Sequence, residues 1–284
     1  MENQELDALT QSVTDRFADT PDGRLKFIMT SLVKHLHAFA REVNLTEAEW
    51  FKGIEFLTAT GQKCSETRQE FILLSDVLGL SMLTVAMNNQ KPQGCTEATV
   101  FGPFYVQDAP HYENGEDVAN GASGRPCQVK GTVRGLGGEP VSNAVIEVWQ
   151  ADDEGHYDVQ KEGLEHAQAR GVLHARDDGS FEFRTIVAEA YPIPTDGPVG
   201  QLLETTRRSP WRPAHLHFMI KAEGYETLIT HVFRSGDACL DADPVFGVRQ
   251  SLIADWVPQA DGSTLLDFDF VLNPARTVSC DPTP

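Results

Sequence analysis

Basic residues are few in this chain of 284: 23 Lys and Arg stand against 42 Asp and Glu, a formal net charge of −19. Polyanions are bound by Lys and Arg that replace their counterions, so this balance argues against a nucleic-acid partner and against an anionic membrane surface. Cysteine is scarce as well. Cys64, Cys95, Cys127, Cys239 and Cys280 are an odd number, widely scattered, with no C-x-x-C spacing. That excludes a disulfide framework and a cysteine zinc site, and it fits a reducing compartment. No apolar run approaches the roughly 20 residues that span a bilayer. The N-terminus, with Glu2, Glu5 and Asp7, lacks the basic and apolar regions of a secretory signal. The expectation is a cytoplasmic protein with no membrane partner. Internal repeats and low-complexity tracts are absent too. What is present is a hydrophobic fraction of 40% and a charged fraction of 23%, those of a globular protein with ample core. The length suits one large domain or two of ordinary size.

The first hundred residues read as helical. Leu25, Ile28, Leu32, Leu36, Phe39 and Val43 recur at three- and four-residue intervals, which predicts a helix over 24–43. His35 and His37 fall inside it, about 200° apart around the axis, and so cannot share a metal. Thr46 with Glu49 is a capping-box pattern opening a second helix that Gly61 can close. Phe71, Leu74, Leu78, Met82 and Val85 predict a third, from about Ser65 into the 80s. A stretch rich in Asn, Gln, Pro and Gly over 88–94 ends it, giving a helical part at 1–98 and a second part at 99–284. From Cys127 onward the texture is different. Short β-branched runs at 129–133, 144–150, 180–186, 215–221, 227–233 and 265–272 alternate with Gly, Pro and Asp turns. Regular short strands of this kind indicate an all-β sandwich or barrel.

One of these runs carries His215-Leu216-His217. Side chains two apart in a strand share a face, so the two imidazoles project together and can offer two nitrogens to one metal. Two histidines satisfied by backbone groups would give the same pattern, so the pair alone leaves both readings open. Pro213 suits the first residue of a strand, and Arg212 adds a permanent charge at the rim of the site. Two tyrosines stand out elsewhere: Tyr157 in Gly155-His156-Tyr157-Asp158, and Tyr191 in Tyr191-Pro192-Ile193-Pro194, followed by Gly197-Pro198-Val199-Gly200. Taken singly, each tyrosine reads as a half-buried packing residue.

Taken together and in this order, a helical N-terminal portion, the G-x-Y element, the Y-P-I-P element and the R-P-A-H-x-H-F strand resemble the intradiol ring-cleavage dioxygenases. This is the catechol 1,2-dioxygenase and hydroxyquinol 1,2-dioxygenase family, and the resemblance covers nearly the whole chain. It implies a β-sandwich catalytic domain behind an N-terminal helical domain that dimerises. It also implies one non-haem Fe(III) per subunit, held by Tyr157, Tyr191, His215 and His217. Two phenolates with two imidazoles suit a hard trivalent iron, and a phenol pKa near 10 calls for a strong Lewis acid to keep both ionised. Arg212 matches the family's active-site arginine, and Tyr191 is the ligand expected to leave iron and accept a substrate proton.

Leu73 and Asp76 on the third helix, the run Val100, Phe101, Gly102, Pro103 and Phe104, and the segment 239–248 are similar to the hydroxyquinol branch. His231 stands where the catechol enzymes carry glutamine. With Ile193, Pro194 and Arg212, residues from these elements are expected to line the ring pocket. Asp76 can accept a hydrogen bond from a third ring hydroxyl, which catechol lacks; on local pattern alone an exposed polar position is as good a reading. The implied reaction opens benzene-1,2,4-triol between adjacent hydroxyl-bearing carbons with O2, giving 3-hydroxy-cis,cis-muconate or maleylacetate. The nearest rival is catechol cleavage to cis,cis-muconate. A metal-free prealbumin-like binding module and a zinc hydrolase are rivals of another class, and the hydrolase lacks an H-E-x-x-H glutamate.

Overall fold

The computed structural model describes residues 3–65 and 68–275; Cys280 lies outside them, and Cys95, Cys127 and Cys239 are free thiols. The chain divides into two compact units, residues 1–62 and 63–284. The first contains helices α1 (Asn3–Asp15) and α2 (Gly23–Glu42) and all but the last residue of α3 (Glu47–Lys63). Asp22 caps α2 by accepting from the amides of Arg24 and Leu25 at 2.8 and 3.0 Å, which satisfies donors that a helix start leaves unpaired. Thr46 and Glu49 form the expected capping box, with Thr46 N–H donating to Glu49 at 2.9 Å and Glu49 N–H to the Thr46 hydroxyl at 3.3 Å. Gly61 does not close α3, which runs on to Lys63. His37 meets the Thr10 hydroxyl at 2.9 Å, and Asp7 pairs with Arg41 at 2.5 Å, joining α1 to α2. No residue of α2 is buried among the described residues, and Leu25, Ile28, Leu32, Leu36, Phe39 and Val43 of its apolar stripe are all exposed.

The second unit opens with α4 (Glu70–Val77) and α5 (Leu80–Asn88). Sequence periodicity predicts one helix here, but the axis bends by 77° between them. Gly79 makes the break by taking a left-handed conformation, φ +74°, open to a residue without a Cβ. The division into compact units falls at 62/63, so α4 and α5 belong with the second unit. The reason is packing: Leu73, Val77 and Met82 of the two helices share an apolar cluster with Val100, Ile193, Val199, Leu203 and Val245. Among the described residues, no single helix is long and apolar enough to cross a membrane.

The remaining elements are β1 (Pro126–Gly135), β2 (Val145–Trp149), β3 (Arg170–His174), β4 (Ser180–Ile186), β5 (Tyr191–Pro192), α6 (Pro198–Thr205), β6 (Trp211–Arg212), β7 (His215–Lys221), β8 (Leu228–Arg234), β9 (Ile253–Ala254), β10 (Trp256–Pro258), β11 (Thr264–Asp267) and β12 (Phe270–Leu272). They form a sheet ordered β10-β11-β1-β12 with β4 also on β1, a sheet ordered β3-β2-β7-β8-β9, and the ribbon β5-β6. The expected single run at 265–272 is two strands. Between them the Phe268 carbonyl leans over Gly131, where a Cβ would lie 1.8 Å from it, and Asp269 accepts from Thr132 N–H at 2.8 Å.

Side chains from both five-stranded sheets build one core. Val129, Val133, Phe181, Phe183 and Phe270 come from the first sheet, and Ile146, Leu173, Leu216, Phe218 and Ile220 from the second. Strand β7 is buried on both faces along six of its seven residues. Leu216, Phe218 and Ile220 enter the core, so period-two alternation turns His215, His217 and Met219 to the opposite face. A second cluster of Trp149, Ala151, Tyr157, Tyr191 and Met219 forms there.

Candidate metal centre

His215 and His217 are therefore placed by the core side of their own strand. Register sets His217 opposite Trp149 on β2 and His231 on β8. The Trp149 indole stacks on the His217 ring at 4.7 Å and 17°. Gly102 passes over the same ring so closely that a Cβ would lie 3.1 Å from it.

Tyr157 comes from the loop after β2. Gly155 takes φ +82°, and a Cβ there would lie 2.7 Å from Cβ of Tyr191, so a residue with a side chain would push the two tyrosines apart. Beyond Tyr157, Asp158 pairs with Arg170, whose Nη1 donates to the Phe104 carbonyl at 3.0 Å. The Phe104 ring stacks on Tyr157 at 4.4 Å and 22°. Tyr191 is carried by the β5-β6 ribbon, where it pairs in register with Arg212.

Four donor atoms converge. The Tyr157 hydroxyl lies 3.0 Å from Nε2 of His217 and 3.2 Å from the Tyr191 hydroxyl, and the two Nε2 atoms of His215 and His217 are 3.2 Å apart. Ligands about 2 Å from one metal ion sit roughly 3 Å from each other, so the spacing of these donors is that of a coordination shell. His215 Nδ1–H donates to the Pro213 carbonyl at 2.7 Å, which leaves a lone pair on its Nε2, facing the other donors. Distance alone would also admit a trio of His215, His217 and His231, with one nitrogen of each inside 4.8 Å. His231, however, turns Nε2 to His217 Nδ1 at 2.8 Å and Nδ1 to the Thr99 hydroxyl at 2.9 Å, which engages both ring nitrogens.

The electrostatics fit neutral imidazoles around a cation. Burial, then the Arg212 charge, pushes His215 down to about 3. Burial, then the neighbouring histidines, holds His217 and His231 well below the usual imidazole value. Burial and the neighbouring Tyr191 push the Tyr157 phenol well above its ordinary value, so ionising it needs a positive charge in the cluster. Arg212 Nε donates to Asp243 at 3.1 Å and Nη1 lies 3.2 Å from His215 Nε2. Burial opposes its charge, but Asp243 and the two tyrosines raise its pKa further. Arg212 Nη2 is buried and has no hydrogen-bond partner among the described residues, leaving one donor for a bound molecule.

A cleft opens beside these donors. Of the expected pocket residues, Leu73, Asp76, Val100, Gly102, Pro103, Phe104, Ile193, Pro194 and Arg212 line it, together with Tyr191. Two do not. Gly102 reverses the backbone at φ +79°, and Phe101 lies outside the cleft, 37% exposed, against Tyr105 and Trp149. His231 is fully buried behind His217. Val245, from the expected segment 239–248, lines the cleft, which adds Arg68, Gln69 and Ile72, and Asp243 of the same segment supports Arg212 from behind. A larger groove, bordered by Lys91, Cys95 and Arg249, contains none of the converging donors.

Comparison with known proteins places the chain in a family. Residues 100–274 match a family model described as "Dioxygenase", and residues 22–96 match "Catechol dioxygenase N terminus". A 6-chlorohydroxyquinol 1,2-dioxygenase of Cupriavidus pinatubonensis is 70% identical over 274 residues, 96% of this chain and 99% of that protein. A hydroxyquinol 1,2-dioxygenase of Nocardioides simplex is 51% identical over 279 residues, covering 94% and 95% of the two chains. The solved structure of hydroxyquinol 1,2-dioxygenase from Pseudomonas putida superposes with a TM-score of 0.91 at 45% identity, covering 96% of this chain and 99% of that one.

Proposed function

The chain belongs to the intradiol ring-cleavage dioxygenase family, and from that membership we propose that it opens hydroxyquinol between adjacent hydroxyl-bearing carbons, using O2 and one non-haem Fe(III) per subunit. The observation that carries this reading is the convergence of two phenols and two imidazoles at about 3 Å spacings on a cleft that Asp76 helps to line. Two hard phenolate oxygens favour trivalent iron over zinc or copper. Bound there, iron supplies the Lewis acidity that keeps the phenols ionised and makes a chelated diol reactive toward O2.

The chain's own residues divide the remaining work. Tyr157, His215 and His217 are buried and form the fixed part of the ligand set. Tyr191 lines the cleft, whereas Tyr157 does not, so Tyr191 is the phenolate placed to take a proton from an incoming diol. Arg212, held by Asp243, stabilises negative charge developing on the ring. Leu73, Val100, Ile193 and Val245 give the ring apolar walls, and the Asp76 carboxylate accepts from the third hydroxyl.

We read the two sheets around one core as a β-sandwich. The uncovered stripe of α2 is read as the surface through which a homodimer forms, because an apolar face of that length is rare on a monomer; a monomer mass in solution would remove that reading. The 70% identical relative named for 6-chlorohydroxyquinol favours a second substrate, the chlorinated triol, in the same cleft.

The test is the visible spectrum of iron-replete protein before and after anaerobic addition of hydroxyquinol. A broad tyrosinate-to-iron(III) band that moves to longer wavelength with the triol is the expected result. Its absence in protein shown to hold iron would remove the tyrosines from the ligand set and the reaction with them.

A further inference from the structure

His217 turns Nε2 toward Tyr157 and His215, so to act as a ligand it must keep a lone pair on Nε2 and its proton on Nδ1. That Nδ1 lies 2.8 Å from Nε2 of His231. Two imidazole nitrogens at this distance share one proton, one donating and the other accepting. With His217 the donor, His231 Nε2 is the acceptor and the His231 proton must sit on Nδ1, which meets the Thr99 hydroxyl at 2.9 Å. Each tautomer follows from the one before it.

The fold holds this chain of hydrogen bonds in place. His217 and His231 are cross-strand partners on β7 and β8, which brings their Cβ atoms to about 5 Å. Thr99 is anchored by its amide to the Ile229 carbonyl at 3.0 Å. His231 and Thr99 are both buried. An apolar side chain at position 231 would therefore leave the Nδ1–H of His217 unsatisfied, and the ring free to turn.

We propose that His231 is a positioning residue for the metal centre, acting as the acceptor that fixes the tautomer and orientation of His217, with Thr99 as its own anchor. It is neither a third histidine ligand nor a wall of the substrate cleft. The proposal rests on the iron reading above and adds a residue through which His217 is tuned.

The test compares iron-loaded wild type with His231→Gln, His231→Leu and Thr99→Val, reading the rate of iron release to a chelator and the position of the tyrosinate-to-iron band. Glutamine offers a carbonyl to His217 Nδ1–H and an amide N–H to Thr99, so it is expected to stay close to wild type in both readouts. Leucine is expected to release iron about 10- to 100-fold faster and to shift the band. Thr99→Val is expected to move the same way by less. Loss of iron from His231→Gln as complete as from His231→Leu would make the imidazole itself a ligand and overturn the proposal, as would a His231→Leu protein with wild-type release. If His231→Leu does not fold, unchanged iron release in Thr99→Val overturns it instead. A wild type that takes up iron but shows no band removes the tyrosinate reading while leaving the release rates to decide the role of His231.

Discussion

Replacing Asp76 by Asn separates substrate choice from the rest of the chemistry. Asp76 is 7% exposed on the cleft wall. Burial raises its pKa first; the Ser81 hydroxyl and the Arg212 charge pull it down without offsetting burial, and Asp243 adds to the rise. A hydrogen bond from a third ring hydroxyl to this carboxylate is charge-assisted, worth about 1.5–3 kcal/mol. At 1.4 kcal/mol per tenfold, kcat/KM for hydroxyquinol should fall by roughly 10- to 150-fold in Asp76→Asn. Catechol makes no such bond and should lose far less. Stability should move the other way. A folded-state pKa above the unfolded one means that the native protein binds the extra proton between the two values, so its stability is greatest at low pH and declines as pH rises through the folded pKa. At neutral pH the ionised Asp76 is a cost to the fold, and Asn removes it. Thermal melts at neutral pH should show Asp76→Asn no less stable than wild type, with any gain vanishing in the carboxylate range. Steady-state rates on both substrates, taken beside those melts, provide the assay. Equal losses on hydroxyquinol and catechol would refute the recognition role, and a lowered melting temperature at neutral pH would refute the electrostatic argument.

Tyr157→Phe removes a buried phenol oxygen of the proposed ligand set, and the purified protein should lose iron or its visible band; a fully coloured, active variant would strike Tyr157 from that set. Asp243→Asn leaves the buried Arg212 guanidinium without the carboxylate that now sits 3.1 Å from its Nε, at an expected cost of about 3–5 kcal/mol in denaturant unfolding. An unchanged midpoint would show that Arg212 is compensated by other groups. Leu216→Ala, on the core side of β7, should cost about 2–5 kcal/mol of stability while leaving the band position of the iron-loaded protein in place. A shifted band would mean that the two faces of the strand are not separable.

Much of this is legible in the amino-acid sequence itself. The alternation that sends Leu216, Phe218 and Ile220 one way and His215 and His217 the other is a property of any strand, and the structure realises it. The capping box at Thr46 and Glu49 is a short-range pattern and also holds. The misses have a common physical origin, since each turns on backbone geometry or packing that periodicity does not encode. Gly79 sits inside an unbroken apolar period, yet its left-handed φ splits α4 from α5. Gly102 turns Phe101 out of the cleft that its neighbours line. Arg68 reaches the cleft from a loop, where spacing along the chain gives no direction, and within the expected segment 239–248 spacing does not single out Asp243 as the partner of Arg212. The family resemblance places His231 near the pocket, but only its ring contacts show it turned to His217 and Thr99.

The histidines alone would also have misdirected the assignment of the metal. By distance they form a three-nitrogen set, which taken by itself suits zinc or copper as well as iron. Hydrogen-bond accounting separates the sets. His231 spends both nitrogens on His217 and Thr99, whereas the Tyr157 and Tyr191 hydroxyls have only each other and His217 as partners in the cluster. Without a cation the buried atoms can satisfy themselves: Tyr191 donates to Tyr157, Tyr157 to His217, and Arg212 to His215. Those two phenol protons are what a metal must displace, and a phenol as deeply buried as Tyr157 gives its proton up only to a strong Lewis acid. In the proposed ligand set the tyrosine oxygens, more than the histidine pair that first draws the eye, would therefore be what favours a hard trivalent ion.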